Sequence, residues 1–234
     1  MINLKTAVNY FSPFEKLLWL SSAVLIVISF CIFDRGSIST PIASLIGVTS
    51  LIFSAKGNPI GQLLMIIFSV FYGIISLGCA YYGEVATYLG MTAPMALFAL
   101  ISWLKNPFEG RRSEVKVGSI SRKEVVFMLL LSAVVTAVFY FILDAFGTAN
   151  MLPSTLSVTT SFIAVYLTFR RNPFFALAYA ANDIVLIILW TMAALKNISY
   201  LSVVICFIVF LINDLYGFVS WLRMGKRQNG NVTA

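Results

Sequence analysis

Residues Ile198 to Leu222 read ISYLSVVICFIVFLINDLYGFVSWL, an apolar run carrying one charge, Asp214, beside one amide, Asn213. At ~1.5 Å of rise per residue, a helix of this length crosses a hydrocarbon core of ~30 Å. Working outward, the same texture recurs from Leu17 to Phe33, Ile38 to Ser54, Gly61 to Tyr81, Val85 to Leu104, Glu124 to Phe146, Pro153 to Phe169 and Phe174 to Leu195. The 234 residues are 60% hydrophobic and 11% charged with a mean hydropathy of +0.93, more apolar surface than one globular core can hide. The expected fold is therefore an all-α polytopic membrane protein of about eight transmembrane helices, with the lipid bilayer as its solvent.

The net charge of +7 raises the question of a polyanionic partner. Of the 16 Lys and Arg, all but Arg35 and Lys196 fall on one side when the spans are laid out alternately. They are Lys5, Lys16, Lys56, the stretch from Lys105 to Lys123, Arg170, Arg171, Arg223, Lys226 and Arg227. Such asymmetry is a topology signal, so no nucleic-acid partner is inferred, and both termini and the Lys105 to Lys123 stretch are expected in the cytoplasm. The polar lead before Leu17, and Asp34-Arg35 after the first run without a small-x-small cleavage site, predict a retained first span.

Lys56-Gly57-Asn58-Pro59 before the third span is echoed by Arg170-Arg171-Asn172-Pro173 before the seventh. Ser102-Trp103-Leu104-Lys105 at the end of the fourth is echoed by Ser220-Trp221-Leu222-Arg223 at the end of the eighth. Asn-Pro alone is an ordinary helix start, but two matches in register predict that spans two to four repeat as six to eight. The single fifth span between them keeps the two units parallel. The expected organisation is 1-37, cytoplasmic N-terminus and extra first helix; 38-105, first three-helix repeat; 106-152, basic loop and linker helix; 153-222, second repeat; 223-234, cytoplasmic tail.

The sequence has no His, which excludes imidazole acid-base chemistry and the usual His-containing zinc sites. Cys31, Cys79 and Cys206 sit in apolar runs without C-x-x-C spacing. With no Gly-rich phosphate loop either, no cofactor or metal is expected, and an enzyme is disfavoured. Chemistry concentrates instead in Asn182-Asp183 with Trp190 and in Asn213-Asp214 with Tyr216. An aspartate at a helix centre costs about 2.5–3.5 kcal/mol on insertion scales, so these residues are expected to face a bundle interior or a wet cavity. Both pairs lie ~12 to 14 Å from the basic face, in one layer of adjacent helices. They either tie the helices together or bind a solute near the midplane. Trp190 and Tyr216 are candidate ring-stacking residues, while Trp103 and Trp221 suit interface anchors. Gln62 and Tyr72 are the candidate contributions of the first repeat, Gln62 also suiting a helix cap. Pro94 is a candidate hinge, and Glu84 is read as a solvated turn residue.

These runs, above all Asn213-Asp214-Leu215-Tyr216-Gly217-Phe218 leading to Trp221, together with the repeat behind an extra helix, resemble the PnuC-type nicotinamide riboside transporters, bacterial vitamin carriers related to SWEET proteins. The resemblance covers almost the whole chain. It implies a SWEET-like 3+1+3 fold and facilitated diffusion of nicotinamide riboside by alternating access, with retention by later cytosolic phosphorylation. A pyridinium ring would suit acids and aromatic faces, and ribose hydroxyls and a carboxamide would suit Asn. The first repeat places Phe68-Ser69 and Met95-Ala96 where the second has its Asn-Asp pairs, so an asymmetric pocket is expected. Alternatives are a carrier of another vitamin such as thiamine, and a non-transporting sensor or assembly subunit docking through Arg111 to Lys123. A homo-oligomer is compatible with either.

Overall fold

A computed structural model of the chain describes residues 10–36, 38–78, 82–148 and 150–230. Lys5, Cys79, the Tyr81 end of the third expected span and the tail from 231 to 234 lie outside the described residues. Helix α1 (Pro13–Phe33) is followed by α2 (Ser39–Ala55), α3 (Ile60–Gly78) and α4 (Tyr82–Thr87). A π-turn at Tyr88–Thr92 leads into α5 (Ala93–Lys105), and strands β1 (Pro107–Phe108) and β2 (Arg111–Val115) come next. Then follow α6 (Arg122–Ala145), α7 (Met151–Phe169), α8 (Phe174–Ala194), a short 3₁₀ turn (Ile198–Tyr200) and α9 (Leu201–Gly230). Among the described residues, six helical stretches are long and apolar enough to cross a membrane, Gly83–Lys105 counting as one, and two shorter apolar helices, Ser39–Ala55 and Ile60–Ile74, accompany them.

Local chemistry sets the boundaries. Ser12 caps α1 in a reciprocal capping box with Glu15, ahead of Pro13 in the first turn. Asn58 and Asn172 each turn a side-chain oxygen onto a backbone N–H two residues on, at Ile60 and Phe174 (3.0 and 3.1 Å), which starts α3 and α8. The residues before these Asn both adopt the left-handed region, Gly57 at φ 66° and Arg171 at φ 57°; glycine does so freely and arginine does not. Near Pro94, which has no N–H to offer the preceding turn, the helix widens into the π-turn instead of showing a simple kink.

Six helices close a ring through the neighbour contacts α2 to α3, α3 to α5, α5 to α7, α7 to α8, α8 to α9 and α9 back to α2. Helix α1 packs outside the ring on α2 and α9, and α6 packs outside on α7. Only 11% of the most apolar window of α6 is buried, which places this helix at the lipid-facing periphery. Backbones approach closely at Gly61, where a Cβ would stand 2.6 Å from the Ser54 nitrogen. There Ser50 Oγ donates to the Gly61 carbonyl at 2.7 Å.

The face bearing Lys56, Arg170 and Arg223 is sealed by Trp103 and Trp221, both fully buried, their rings 5.3 Å apart. Trp103 Nε1 donates to the Thr168 carbonyl at the end of α7 (2.9 Å), and Trp221 Nε1 donates to the Ser54 carbonyl at the end of α2 (2.7 Å). They are packed inside the bundle, not at an interface. The basic segment read as a loop contains the β1–β2 hairpin, so the described chain is not purely helical. Its tight turn places Glu109 and Gly110 at φ 48° and 73°. The Val115 N–H donates to the Gly57 carbonyl and the Gly118 N–H to the Arg171 carbonyl, each at 2.9 Å, so the segment straps the two turns together.

Candidate functional site

A cavity of about 360 Å³ lies inside the ring. Asp183 on α8 and Asp214 on α9 line it at the level where the sequence places its polar layer. Their carboxyl groups are within hydrogen-bonding reach of each other. From there the cavity runs away from the basic face, past Trp190, to the start of α7 and the turn before it, where Thr148, Asn150, Ser154 and Glu84 line it.

Asn182 also lines the cavity, and three hydroxyls of α7 aim at its Oδ1: Ser157 (3.1 Å), Thr160 (2.8 Å) and Ser161 (3.1 Å). That clasp fixes the amide and leaves Nδ2 as its other, donating end. Asp183 is 4% exposed, and its Oδ2 has no hydrogen-bond partner among the described residues. Such an atom is costly inside a membrane protein unless something polar enters the cavity to meet it. The aromatic wall comes from Phe68, Tyr88, Tyr179, Trp190, Phe207 and Phe210. Trp190 is held by Tyr200, with ring centroids 5.4 Å apart.

Four of the eight residues singled out in the sequence thus lie at the cavity: Asn182, Asp183, Trp190 and Asp214. The other four do not line it. Asn213 donates from Nδ2 to Ser22 Oγ of α1 and to the Val209 carbonyl, both at 2.9 Å. Tyr216 donates its hydroxyl to Glu15 Oε1 at 2.9 Å, again toward α1. Gln62 Nε2 donates to Ser54 Oγ at 3.3 Å. Tyr72 stands behind the wall, its ring 4.6 Å from Tyr88 and 5.6 Å from Phe68.

Sequence reasoning missed Glu84, Tyr88, Tyr179, Ser157 and Ser161, all of which line the cavity. Ser157 and Ser161 did carry a signal, since polar residues four apart share a helix face. Glu84 gave the opposite one, because an acid between two apolar runs reads as a solvated turn. With Glu84, Asp183 and Asp214, the cavity has three acids, and no Lys or Arg stands among the described residues that line it. The arrangement suits a flat cation bearing hydroxyl or amide groups.

Comparison with known proteins bears on the family and the fold. A family model described as "Nicotinamide mononucleotide transporter" matches residues 37–223. The nicotinamide riboside transporter PnuC of Neisseria mucosa is 26% identical over 204 residues, covering 85% of this chain and 77% of that protein. The protein of the same name from Haemophilus influenzae is 22% identical over 223 residues, 95% of each chain. A crystal structure of the vitamin B3 transporter PnuC has a TM-score of 0.79 at 24% identity, covering 93% of this chain and 94% of that one, which shows a shared fold. With the family model matched over most of its length, this multi-pass membrane protein belongs to the nicotinamide mononucleotide transporter family, a family of carriers and not of enzymes.

Proposed function

We propose that the chain carries nicotinamide riboside across a bacterial cytoplasmic membrane by facilitated diffusion, the solute being retained by later phosphorylation in the cytosol. The observation that carries this reading is the composition of one cavity: three carboxyl groups, aromatic faces and a clasped amide, with no cation among its described lining residues. A pyridinium nucleoside matches these features part by part. The charged ring suits Asp183, Asp214 and the face of Trp190, while ribose and carboxamide groups suit Asn182 and the nearby hydroxyls.

The family description says mononucleotide, and the relatives' names say riboside. A phosphate monoester would bring about two negative charges into a cavity already lined by three acids. With no Lys or Arg among the described lining residues to balance them, the cost of desolvating those charges favours the riboside. Asn182, Asp183, Trp190 and Asp214 are then the solute contacts, with Tyr72 backing the wall and Gln62, Asn213 and Tyr216 holding the helices that form it.

For the transport cycle, two parallel three-helix units, 38-105 and 153-222, rock about the site in a SWEET-like 3+1+3 arrangement. Support comes from the exchanged bonds, Trp103 to the end of α7 and Trp221 to the end of α2, and from the matched turns at Gly57 and Arg171. The positive-inside rule favours a cytoplasmic basic face and cytoplasmic termini, which turns the Glu84 rim outward. The test is uptake by purified protein in liposomes without an ion gradient, comparing nicotinamide riboside, its mononucleotide, thiamine and a sugar. Uptake of the riboside alone is expected. Preference for thiamine would move the substrate, and uptake of none of them would refute the carrier reading.

A further inference from the structure

The geometry points to Glu84 as a specificity-determining residue, which captures the cationic ring at the rim of the cavity and favours charged over neutral solutes. This inference rests on the reading of the cavity as a carrier site for a cationic nucleoside.

Glu84 follows Gly83 at the start of the span. A Cβ on Gly83 would stand 2.8 Å from Leu143 Cδ2 and 2.9 Å from Thr148 Oγ1, so this end of the helix is pressed against the rim formed by the end of α6 and the turn after it. Glu84, half-buried, lines the cavity together with Gly147, Thr148 and Asn150 of that turn, which puts it at the end of the cavity away from the basic face. Among the described residues the ion pairs engage Glu15, Glu109, Glu124 and Glu114, and none of them includes Glu84.

From Glu84 a track leads inward. Glu84, Tyr88 and Thr92 recur every four residues, and all three line the cavity. In an α-helix a step of four overshoots one turn of 3.6 residues and drifts by about 40°. The π-turn at Tyr88–Thr92 closes at five residues and turns the drift back, which keeps the three side chains on one face. Tyr88, one turn along from Glu84, lines the same cavity as Asp183, so an aromatic face follows the acid on this track. A cation entering from the rim meets a carboxyl group, then a ring, then Asp183, whose Oδ2 has no hydrogen-bond partner among the described residues. A neutral ring gains nothing from the first of these.

The experiment uses the full chain in liposomes and compares wild type, Glu84→Gln and Glu84→Asp. Initial uptake of nicotinamide riboside is measured at low and high salt, and the neutral 1,4-dihydro form of the riboside is titrated as a competitor. Glu84→Gln is expected to raise KM by about tenfold, the low end of what a charged cleft adds to encounter rates, with kcat little changed. It should also flatten the salt dependence and leave competition by the neutral form unaltered, while Glu84→Asp recovers most of the loss. An unchanged KM, a fall in kcat alone, or an equal loss for charged and neutral ligands would overturn the assignment. If Glu84→Gln does not reach the membrane, the two carboxylate-bearing proteins decide: a KM insensitive to salt in the wild type refutes a capture role, and a KM that rises with salt in both the wild type and Glu84→Asp supports it. Wild type that carries no riboside would instead refute the functional reading itself.

Discussion

Replacing Tyr216 by Phe separates a binding role from a structural one. The hydroxyl donates to Glu15 Oε1 at 2.9 Å, an oxygen that Lys56 Nζ also reaches at 3.2 Å. Glu15 Oε2 takes the Ser12 N–H at 2.6 Å and Lys56 Nζ at 3.1 Å. Tyr216→Phe therefore removes one of several donors to a buried carboxylate. A hydrogen bond to a charged group contributes about 1.5–3 kcal/mol, and the remaining donors put this loss near the lower end. For a chain of this length, about 1.5 kcal/mol corresponds to about 3–6 °C in melting temperature. The substitution lies outside the cavity wall, so riboside affinity should change by less than about twofold. Lys56→Met provides scale: it strands the Glu15 charge, and since the Lys56 side chain is 23% exposed, the lower end of the penalty applies, about 3 kcal/mol. Thermal unfolding in detergent and calorimetric binding on the same preparations give both numbers. A tenfold loss of affinity at unchanged melting temperature would refute the placement of Tyr216 outside the site.

Asp214→Asn should cut riboside uptake by tenfold or more, since one charge-assisted contact of about 1.5–3 kcal/mol is lost, with membrane abundance unchanged; near-normal uptake would remove Asp214 from the site. Trp190→Ala removes a ring face for the cation and should weaken binding by about thirtyfold, the equivalent of a desolvated cation–π contact of about 2 kcal/mol, whereas Trp190→Phe should keep much of it; calorimetry with both variants checks this. Replacing residues 107–116 by a Gly-Ser linker deletes fully buried Val115 and its bond to the Gly57 carbonyl and should lower the melting temperature. An unchanged melting temperature would return this segment to the role of a free docking loop.

The helical membrane architecture was legible because each spanning helix satisfies its own backbone and needs only a long apolar run. The hairpin from Pro107 to Val115 was not, since a short basic stretch between spans has the composition of a loop whether or not it folds onto its neighbours. The π-turn at Tyr88–Thr92 was equally hidden: Pro94 marks a disturbance in the helix without saying how the freed carbonyls are accommodated. Glu84 was misread for a related reason. Its position at a helix start fits a solvated turn, and only the assembled helices show that it lines the cavity.

The two Asn-Asp pairs show what depth along a helix leaves undetermined. Neighbouring residues on an α-helix point ~100° apart, so a pair at one depth serves two different neighbours unless the helix is surrounded by the same environment. Helix α8 lies between α7 and α9, and its pair divides accordingly: Asn182 turns to the hydroxyls of α7 and Asp183 to Asp214 of α9, with the cavity between them. Helix α9 neighbours α8 and α2 in the ring and α1 outside it, and accordingly Asp214 faces the cavity while Asn213 turns outward to Ser22. The second amide is spent on holding α1, a helix outside the ring, which leaves one amide and two acids at this level of the cavity. That asymmetry follows from which helices neighbour α8 and α9, and it explains why two identical dipeptides at matched depths do not build two equivalent halves of a site.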